Sequence, residues 1–284
     1  MDELDRAPDD AGFADLPEFW PEGWADDAFW WIEEPPADEV PADDGGTGLA
    51  DGEPAGDPSD GTDEEAVDAT DEPEAAADDG SADDDILDGT ADGDILGGAG
   101  GSDVIAGLGG DDQLDGAGGD DVVEGDDGND LVAGGEGDDV LSGGEGGDAI
   151  DGGTGDDHVE GGAGDDLLGG GEGDDVLIGD AGDDVMAGGS GCDLFILDLA
   201  TGGGSDTVLD FTGGEDLVWI CGDGASWEAL DDSGDGVLDG QDRAVSIVAG
   251  STVIDLSALP GGGPATLTLA GVTGLGFADI IVGG

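Results

Sequence analysis

The sequence predicts an all-β protein: a parallel β-roll (a β-solenoid) of nonapeptide repeats with a β-rich C-terminal cap, preceded by a disordered acidic N-terminal region. Three observations support this. Asp and an apolar residue recur every nine residues through the middle of the chain, glycine fills most positions between them, and 9 of the 11 prolines lie before residue 83. The predicted boundaries are 1–82 for the N-terminal region, 83–196 for the roll and 197–284 for the cap.

Composition limits both the core and the partners. The 284 residues include 64 glycines, 6 phenylalanines and no tyrosine, so a large conventional core is not expected. Seventy-seven acidic residues against Arg6 and Arg243 give a formal charge of −75. This charge repels nucleic acid and anionic membranes and opposes compaction, so folding requires counter-ions, from high salt or from bound divalent cations.

Targeting signals are not evident at the N-terminus. Acidic residues stand where a basic segment and an apolar stretch would form a cleavable signal peptide. No apolar run approaches ~18 residues, so no transmembrane segment is predicted.

The region 1–82 shows no sustained hydrophobic period and is predicted to be disordered. An aromatic island interrupts it, and three interpretations stay open: a binding motif, a short helix, or a plug that packs on the folded part. The island comprises Phe13, Leu16, Phe19, Trp20, Trp24, Phe29, Trp30, Trp31 and Ile32.

The repeat block contains thirteen units in one unbroken register. Each begins with an Asp, has an apolar residue two places later and, in all but the last unit, a glycine four places later. The Asp positions are Asp85, Asp94, Asp103, Asp112, Asp121, Asp130, Asp139, Asp148, Asp157, Asp166, Asp175, Asp184 and Asp193. The apolar positions are Leu87, Leu96, Ile105, Leu114, Val123, Val132, Leu141, Ile150, Val159, Leu168, Leu177, Met186 and Phe195.

The block follows the pattern G-G-x-G-x-D-x-U-x and resembles the RTX (repeats-in-toxin) calcium-binding repeat family over about 111 residues. A nine-residue unit has room for a six-residue turn and a three-residue strand whose middle, apolar side chain points inward. Two units make one coil. The repeats therefore predict about six coils, roughly 30 Å long at a layer spacing of about 4.8 Å.

One inward aliphatic side chain per repeat cannot offset the entropy of ordering so many glycines, so the roll needs another source of stability. Carboxylates and main-chain carbonyls are the hard oxygen ligands that Ca²⁺ prefers. The resemblance implies that each ion sits between turns of neighbouring coils, bound by the repeat Asp from one side and by carbonyls from both. Five gaps on each side predict about ten Ca²⁺ ions in the roll.

The residue before each inward side chain is predicted to face outward, yet it is mostly aliphatic. These ladders signal either lateral self-association or only the β-propensity of half-exposed strands. They are Ile86, Val104, Val122, Val140, His158, Val176 and Leu194 on one face, and Ile95, Gln113, Leu131, Ala149, Leu167 and Val185 on the other.

The C-terminal region offers two further candidate sites. Residues 205–220 resemble the segment that follows the roll in RTX proteins and are expected to cap its open end, with Asp206 and Asp210 binding one more ion. Residues 231–242 resemble an EF-hand loop with Gly236 at its sharp turn, flanked by short helices at 226–230 and 243–248. The alternative is an acidic turn. Its oxygen-bearing positions are Asp231, Ser233, Asp235, Asp239 and Asp242.

No catalytic constellation is visible, so the chain is predicted not to be an enzyme. His158 is the only histidine, which excludes an H-E-x-x-H zinc protease. The resemblance implies secretion through a type I exporter that reads a C-terminal signal. The absence of a catalytic region and the outward aliphatic ladders favour an extracellular calcium binder with a matrix or surface role. The alternatives are an effector or toxin acting through residues 1–82, and an accessory module of a polysaccharide-acting enzyme. A disulfide between Cys192 and Cys221 stays open.

Overall fold

The computed structural model describes residues 77–201, 203–222, 225–259 and 265–283. The disorder expected for most of the N-terminal region, and the aromatic island within it, lie outside the described residues. No helix within those ranges is long and apolar enough to span a membrane.

The first fourteen strands follow the nine-residue period. Strands β2 to β14 correspond one to one to the thirteen repeats, which confirms the predicted register. Their bounds are β1 Ala77–Asp79, β2 Ile86–Asp88, β3 Ile95–Gly97, β4 Val104–Ala106, β5 Gln113–Gly118, β6 Val122–Asp127, β7 Leu131–Glu136, β8 Val140–Glu145, β9 Ala149–Thr154, β10 His158–Ala163, β11 Leu167–Glu172, β12 Val176–Ala181, β13 Val185–Ser190 and β14 Leu194–Asp198.

The C-terminal elements are shorter and less regular. They are β15 Ser205–Val208, β16 Leu217–Cys221, helix α1 Trp227–Leu230, β17 Val237–Leu238, β18 Val245–Val248, β19 Ser251–Asp255, a 3₁₀ turn at Leu256–Ala258, β20 Thr266–Leu269, β21 Leu275–Gly276 and β22 Ile280–Val282.

The strands form two long sheets, because every second strand of the repeat block pairs in parallel with the strand 18 residues further on. In β8 and β10, for example, Val140 lies opposite His158. Sheet A has the order β1-β3-β5-β7-β9-β11-β13-β15-β20-β19-β18, and sheet B has the order β2-β4-β6-β8-β10-β12-β14-β16-β22. This is the predicted parallel β-solenoid.

The predicted strand length of three residues is wrong for most of the roll. Strands β5 to β13 are six residues long. The glycine half of each repeat also pairs with the next coil, as Gly144 does with Gly162. The cause is that the turn glycines let the backbone bend while its N–H and C=O groups stay bonded along the stack, so only three residues separate successive strands.

The core is the predicted column of apolar side chains. From Leu96 to Phe195 each of them is at most 2% exposed, while Leu87 at the first coil is 8% exposed. Phe195 continues the column toward Phe211, whose ring centroid lies 6.3 Å away.

The segment after the repeats continues the stack before closing it. Strands β15 and β16 pair in parallel with β13 and β14, and β20 and β22 add a further layer. An antiparallel hairpin, β18 and β19, then ends sheet A. At the other end β1 pairs with β3, so the stack begins before residue 83.

The outward ladders differ between the two sheets. On sheet B, Ile86 is 70%, Val104 44% and Val140 47% exposed, as expected for outward side chains. On sheet A, Ile95 is 57% exposed but Leu167 is buried. The other members of both ladders are partly buried, so neither ladder is a continuous exposed stripe. The two cysteines do not form a disulfide: Cys192 is exposed and Cys221 is partly buried, and both are free.

Candidate metal centre

The repeat Asp side chains form two buried columns, one leading into each sheet. From Asp94 to Asp193 each of these residues is only 1–3% exposed. Such burial is unusual for Asp, which is almost never fully buried unless it is paired. Column A comprises Asp94, Asp112, Asp130, Asp148, Asp166 and Asp184, and column B comprises Asp85, Asp103, Asp121, Asp139, Asp157, Asp175 and Asp193.

One oxygen of each carboxylate is held by the neighbouring coil. The backbone N–H of each repeat Asp donates to Oδ1 of the next Asp in its column, over 2.7–3.3 Å along both columns. These bonds fix the orientation of the carboxylates, so that all the second oxygens, Oδ2, occupy equivalent positions.

The second oxygen has no protein donor in ten of these residues. A buried carboxylate oxygen without a partner is costly, and a cation is the partner that compensates a negative charge. The ten divide equally, five in each column. They are Asp112, Asp130, Asp148, Asp166 and Asp184 in column A, and Asp103, Asp121, Asp139, Asp157 and Asp175 in column B.

A glycine five residues before each Asp keeps the space beside Oδ2 open. A Cβ on Gly134 would overlap Oδ2 of Asp139 and lie 2.7 Å from the carbonyl oxygen of Gly152 in the next coil. A carboxylate oxygen and a carbonyl oxygen from neighbouring coils therefore face the same small volume. Only glycine leaves that volume free.

The donor set fits Ca²⁺. Each turn presents one carboxylate oxygen and main-chain carbonyls, which are hard ligands, whereas Zn²⁺ favours sulfur and nitrogen. Among the described residues no three His, Cys, Asp or Glu side chains gather as a metal cluster. The repeat Asp and the turn carbonyls would thus share each ion across two coils, neutralising carboxylates that are otherwise buried beside one another.

The cost of this arrangement appears in the pKa values. Burial raises the pKa of Asp184 to about 8, and neighbouring carboxylates such as Asp206 add to the effect, although the backbone hydrogen bond opposes it. Burial likewise raises the pKa of Asp130 and of Asp157 to about 7. Burial in the cation-free roll therefore disfavours the charged form of these side chains.

The predicted site Asp206 continues column A, and a further residue, Asp216, continues column B. Oδ1 of Asp206 accepts from the N–H of Asp184 at 3.3 Å, and Oδ1 of Asp216 accepts from the N–H of Asp193 at 3.2 Å. The sequence reasoning missed Asp216, although the buried Val218 two places later repeats the Asp-and-apolar spacing.

Asp210 has a different set of partners from Asp206. Its carboxylate accepts from the N–H groups of Gly188 at 3.1 Å and Gly189 at 2.8 Å. The single ion expected between Asp206 and Asp210 therefore stays a prediction.

The loop at 231–242 is held by its own backbone. The carboxylate of Asp231 accepts from the N–H groups of Gly234 at 2.7 Å and Gly236 at 2.9 Å, and that of Asp242 accepts from Ser233 and Asp239. These bonds fit both an EF-hand loop and an acidic turn, so the ion site in this loop stays a prediction.

The other side chains of the loop bond locally as well. Asp235 accepts from the N–H of Val237, Asp239 accepts from that of Gln241, and the hydroxyl of Ser233 donates to Asp231. The flanking helix predicted at 243–248 is wrong, because β18 occupies that segment and pairs with β19.

The comparisons agree with this description of the repeats. A family model of the RTX calcium-binding nonapeptide repeat (four copies) matches residues 97–132, 133–168 and 160–195. No curated protein matches the chain.

Solved structures are similar to parts of the chain, and two of them serve as examples. One is the AlgE6R3 subunit of the mannuronan C5-epimerase from Azotobacter vinelandii, with 26% identity over 48% of this chain and 78% of that chain, at a TM-score of 0.36. The other is the extracellular lipase LipA from Serratia marcescens, with 17% identity over 76% of this chain and 41% of that chain, at a TM-score of 0.25. Together the two Asp columns and the family match identify residues 97–195 as RTX calcium-binding nonapeptide repeats.

Proposed function

We propose that the chain is a secreted, non-enzymatic calcium-binding protein whose roll folds when Ca²⁺ occupies the turns between coils. The observation that carries this proposal is the set of ten buried Oδ2 atoms without a protein donor. Each adds a cost to the cation-free fold, and one ion per turn removes it.

The same set supports a stoichiometry of about ten ions. Five Oδ2 atoms lie in each column, which equals the five gaps per side expected from the repeat count. Ten ions supply about twenty positive charges against a formal charge of −75.

An extracellular location follows from the affinity that such sites are expected to have. Each interior turn offers one buried carboxylate, fewer than the several acidic ligands of a tight EF-hand, and extracellular modules of low ligand charge bind at about 10⁻⁴ to 10⁻³ M. The turns would then lack calcium in a cytosol and fill outside the cell. Export through a type I exporter before folding is consistent with this order.

The outer face of sheet B supports a matrix or surface role, because Ile86, Val104 and Val140 are exposed there. Exposed apolar patches mark association surfaces. We propose that a second copy of the chain binds this face. Bound calcium would lower the charge repulsion between the two acidic copies. Light scattering of the full chain is expected to report a mass increase with calcium. The double change Val104→Asp and Val140→Asp should abolish it, while Val104→Thr with Val140→Thr, which keeps β-propensity, should retain much of it.

The direct test of calcium binding is equilibrium dialysis of the full chain with measurement of bound metal. About ten Ca²⁺ ions per chain, displaced little by equimolar Mg²⁺, are expected, because Mg²⁺ demands a stricter octahedral geometry and gives up its water reluctantly. No selective Ca²⁺ uptake at about 10⁻² M would contradict the proposal.

A further inference from the structure

The first coil and the last differ from the interior in how the carboxylates are satisfied. At Asp85, Oδ2 accepts from the backbone N–H of Ser81 at 2.7 Å and from its hydroxyl at 2.8 Å. At Asp94, Oδ2 accepts from the N–H of Thr90 at 2.5 Å. In both turns the donor lies four residues before the Asp.

The same contact recurs at the other end of column B. Oδ2 of Asp216 accepts from the N–H of Thr212 at 2.6 Å, again from four residues before. Ser81, Thr90 and Thr212 thus supply from the protein the partner that the ten interior carboxylates lack.

The interior turns have a different backbone conformation at this position. Eleven residues there have positive φ, including Ala117 at 70° and Gly153 at 105°, whereas Ser81, Thr90 and Thr212 lie outside the left-handed region. The eleven are Ala99, Leu108, Ala117, Asp126, Gly135, Gly144, Gly153, Gly162, Gly171, Asp180 and Gly189.

Residue chemistry accounts for the difference. A β-branched side chain such as Thr strongly disfavours the left-handed region, while Gly enters it without cost. Ser and Thr also favour local bonds between hydroxyl and backbone, as Ser81 makes to Asp85. At the end turns the N–H donates to the carboxylate, and at the ten interior turns no donor bonds to Oδ2.

The glycine five residues before the Asp is common to the Asp94 turn and the interior turns. A Cβ on Gly89, five residues before Asp94, would lie 2.7 Å from Oδ2 of Asp94 and 2.5 Å from the carbonyl oxygen of Gly107 in the next coil. Carboxylate and carbonyl therefore face the same volume as in the interior. The Asp94 turn differs from the interior at two positions: Thr90, four residues before the Asp, and Asp92, two residues before it, where Gly101 and most of its counterparts have positive φ.

We propose that Ser81, Thr90 and Thr212 take the place of a cation, so that Asp85, Asp94 and Asp216 form calcium-independent end caps and the calcium columns begin at Asp103 and Asp112. This inference rests on the proposed function, because it assigns which turns bind. End repeats of a solenoid need capping, and closing them without an ion keeps them formed when calcium is scarce.

The test counts bound calcium ions on the full chain by native mass spectrometry. Thr90→Gly should bind one ion more than the wild type, because Gly adopts positive φ and releases Oδ2 of Asp94. Thr90→Ser, which keeps the local bond, should bind the wild-type number. Ala117→Thr should bind one ion fewer, because Thr closes the turn of Asp121, whereas Ala117→Gly should match the wild type.

A second pair of variants needs no change of turn conformation. Asp139→Asn should lose one ion, and Asp94→Asn should lose none. Loss of an ion from Asp94→Asn, or an unchanged count in Thr90→Gly, overturns the end-cap assignment while leaving calcium binding in place. A wild-type chain without bound calcium overturns the proposed function itself and the assignment with it.

Discussion

The repeat turns and the loop at 231–242 are both acidic and glycine-containing, yet their carboxylates are satisfied in different ways. In the loop, Asp231 and Asp242 accept hydrogen bonds from N–H groups within the same twelve residues. In the roll, Oδ1 of an interior Asp such as Asp139 accepts an N–H from the neighbouring coil, while its Oδ2 is buried without a donor.

The difference shows that acid density by itself does not specify a metal site. A carboxylate bonded to N–H groups is partly compensated without a cation, whereas a buried oxygen without a donor is not, so the cation-free state costs more in the roll than in the loop. The loop is therefore expected to hold its shape without calcium, and the roll is expected to depend on it.

The largest effect should come from pH in the absence of calcium. Burial raises the pKa of Asp184 to about 8 and of Asp166 and Asp175 to about 6, above the ordinary 3.8 of Asp. The folded state thus holds protons that the unfolded state releases. This contribution to stability is complete below the ordinary pKa and is lost as pH rises through about 6 to 8.

The cation-free chain should therefore gain β-structure when pH falls from 8 to 5, measured by far-ultraviolet circular dichroism in a chelator. With saturating calcium the trend should reverse, because protons compete with the ion for the same carboxylates. Loss of β-structure on acidification without calcium would be incompatible with buried, unpaired carboxylates.

A smaller effect should come from filling the space beside Oδ2 in one interior turn. Gly134→Ala places a Cβ against Oδ2 of Asp139 and the carbonyl of Gly152, so we expect a cost of about 1–3 kcal/mol and a higher calcium midpoint. The matched control is Gly118→Ala, which has no heavy atom within 4 Å of its Cβ and should change stability by less than about 1 kcal/mol. Calcium titrations followed by circular dichroism compare the two variants. Equal calcium midpoints would contradict a binding role for the space beside Oδ2 of Asp139.

The smallest effect should come from removing one charge in each region. Asp148→Asn removes a buried ligand and should lower the bound calcium by one ion, because an amide oxygen binds Ca²⁺ more weakly than a carboxylate. Asp239→Asn in the loop should leave the count unchanged. Metal analysis after dialysis measures both, and loss of an ion from Asp239→Asn would show that the loop binds calcium after all.

Much of the fold could be predicted from the sequence because a strict period leaves few alternatives. The nine-residue spacing fixed the register, the inward column from Leu96 to Phe195 and the position of every repeat Asp. Strand length could not be predicted this way, since pairing of the glycine half depends on the backbone of the next coil.

The site was predicted less completely. The two columns of repeat Asp residues were predicted from the spacing. The difference between end turns, where Oδ2 has a protein donor, and interior turns, where it has none, was not predicted, because the hydrogen bond from Thr90 to Asp94 depends on a φ angle. Asp216 was missed because an inserted segment breaks the period before it. The EF-hand pattern at 231–242 fits a metal loop and an acidic turn equally well, and calcium binding by this loop stays a prediction.

The most direct test of the calcium-dependent roll is a far-ultraviolet circular dichroism titration of the full chain at pH 8, from about 10⁻⁵ to 10⁻² M Ca²⁺, beside Mg²⁺ and NaCl controls. We expect a cooperative transition from coil to β-structure that is selective for Ca²⁺. A chain already folded in chelator at this pH, or a transition matched by NaCl, would contradict it.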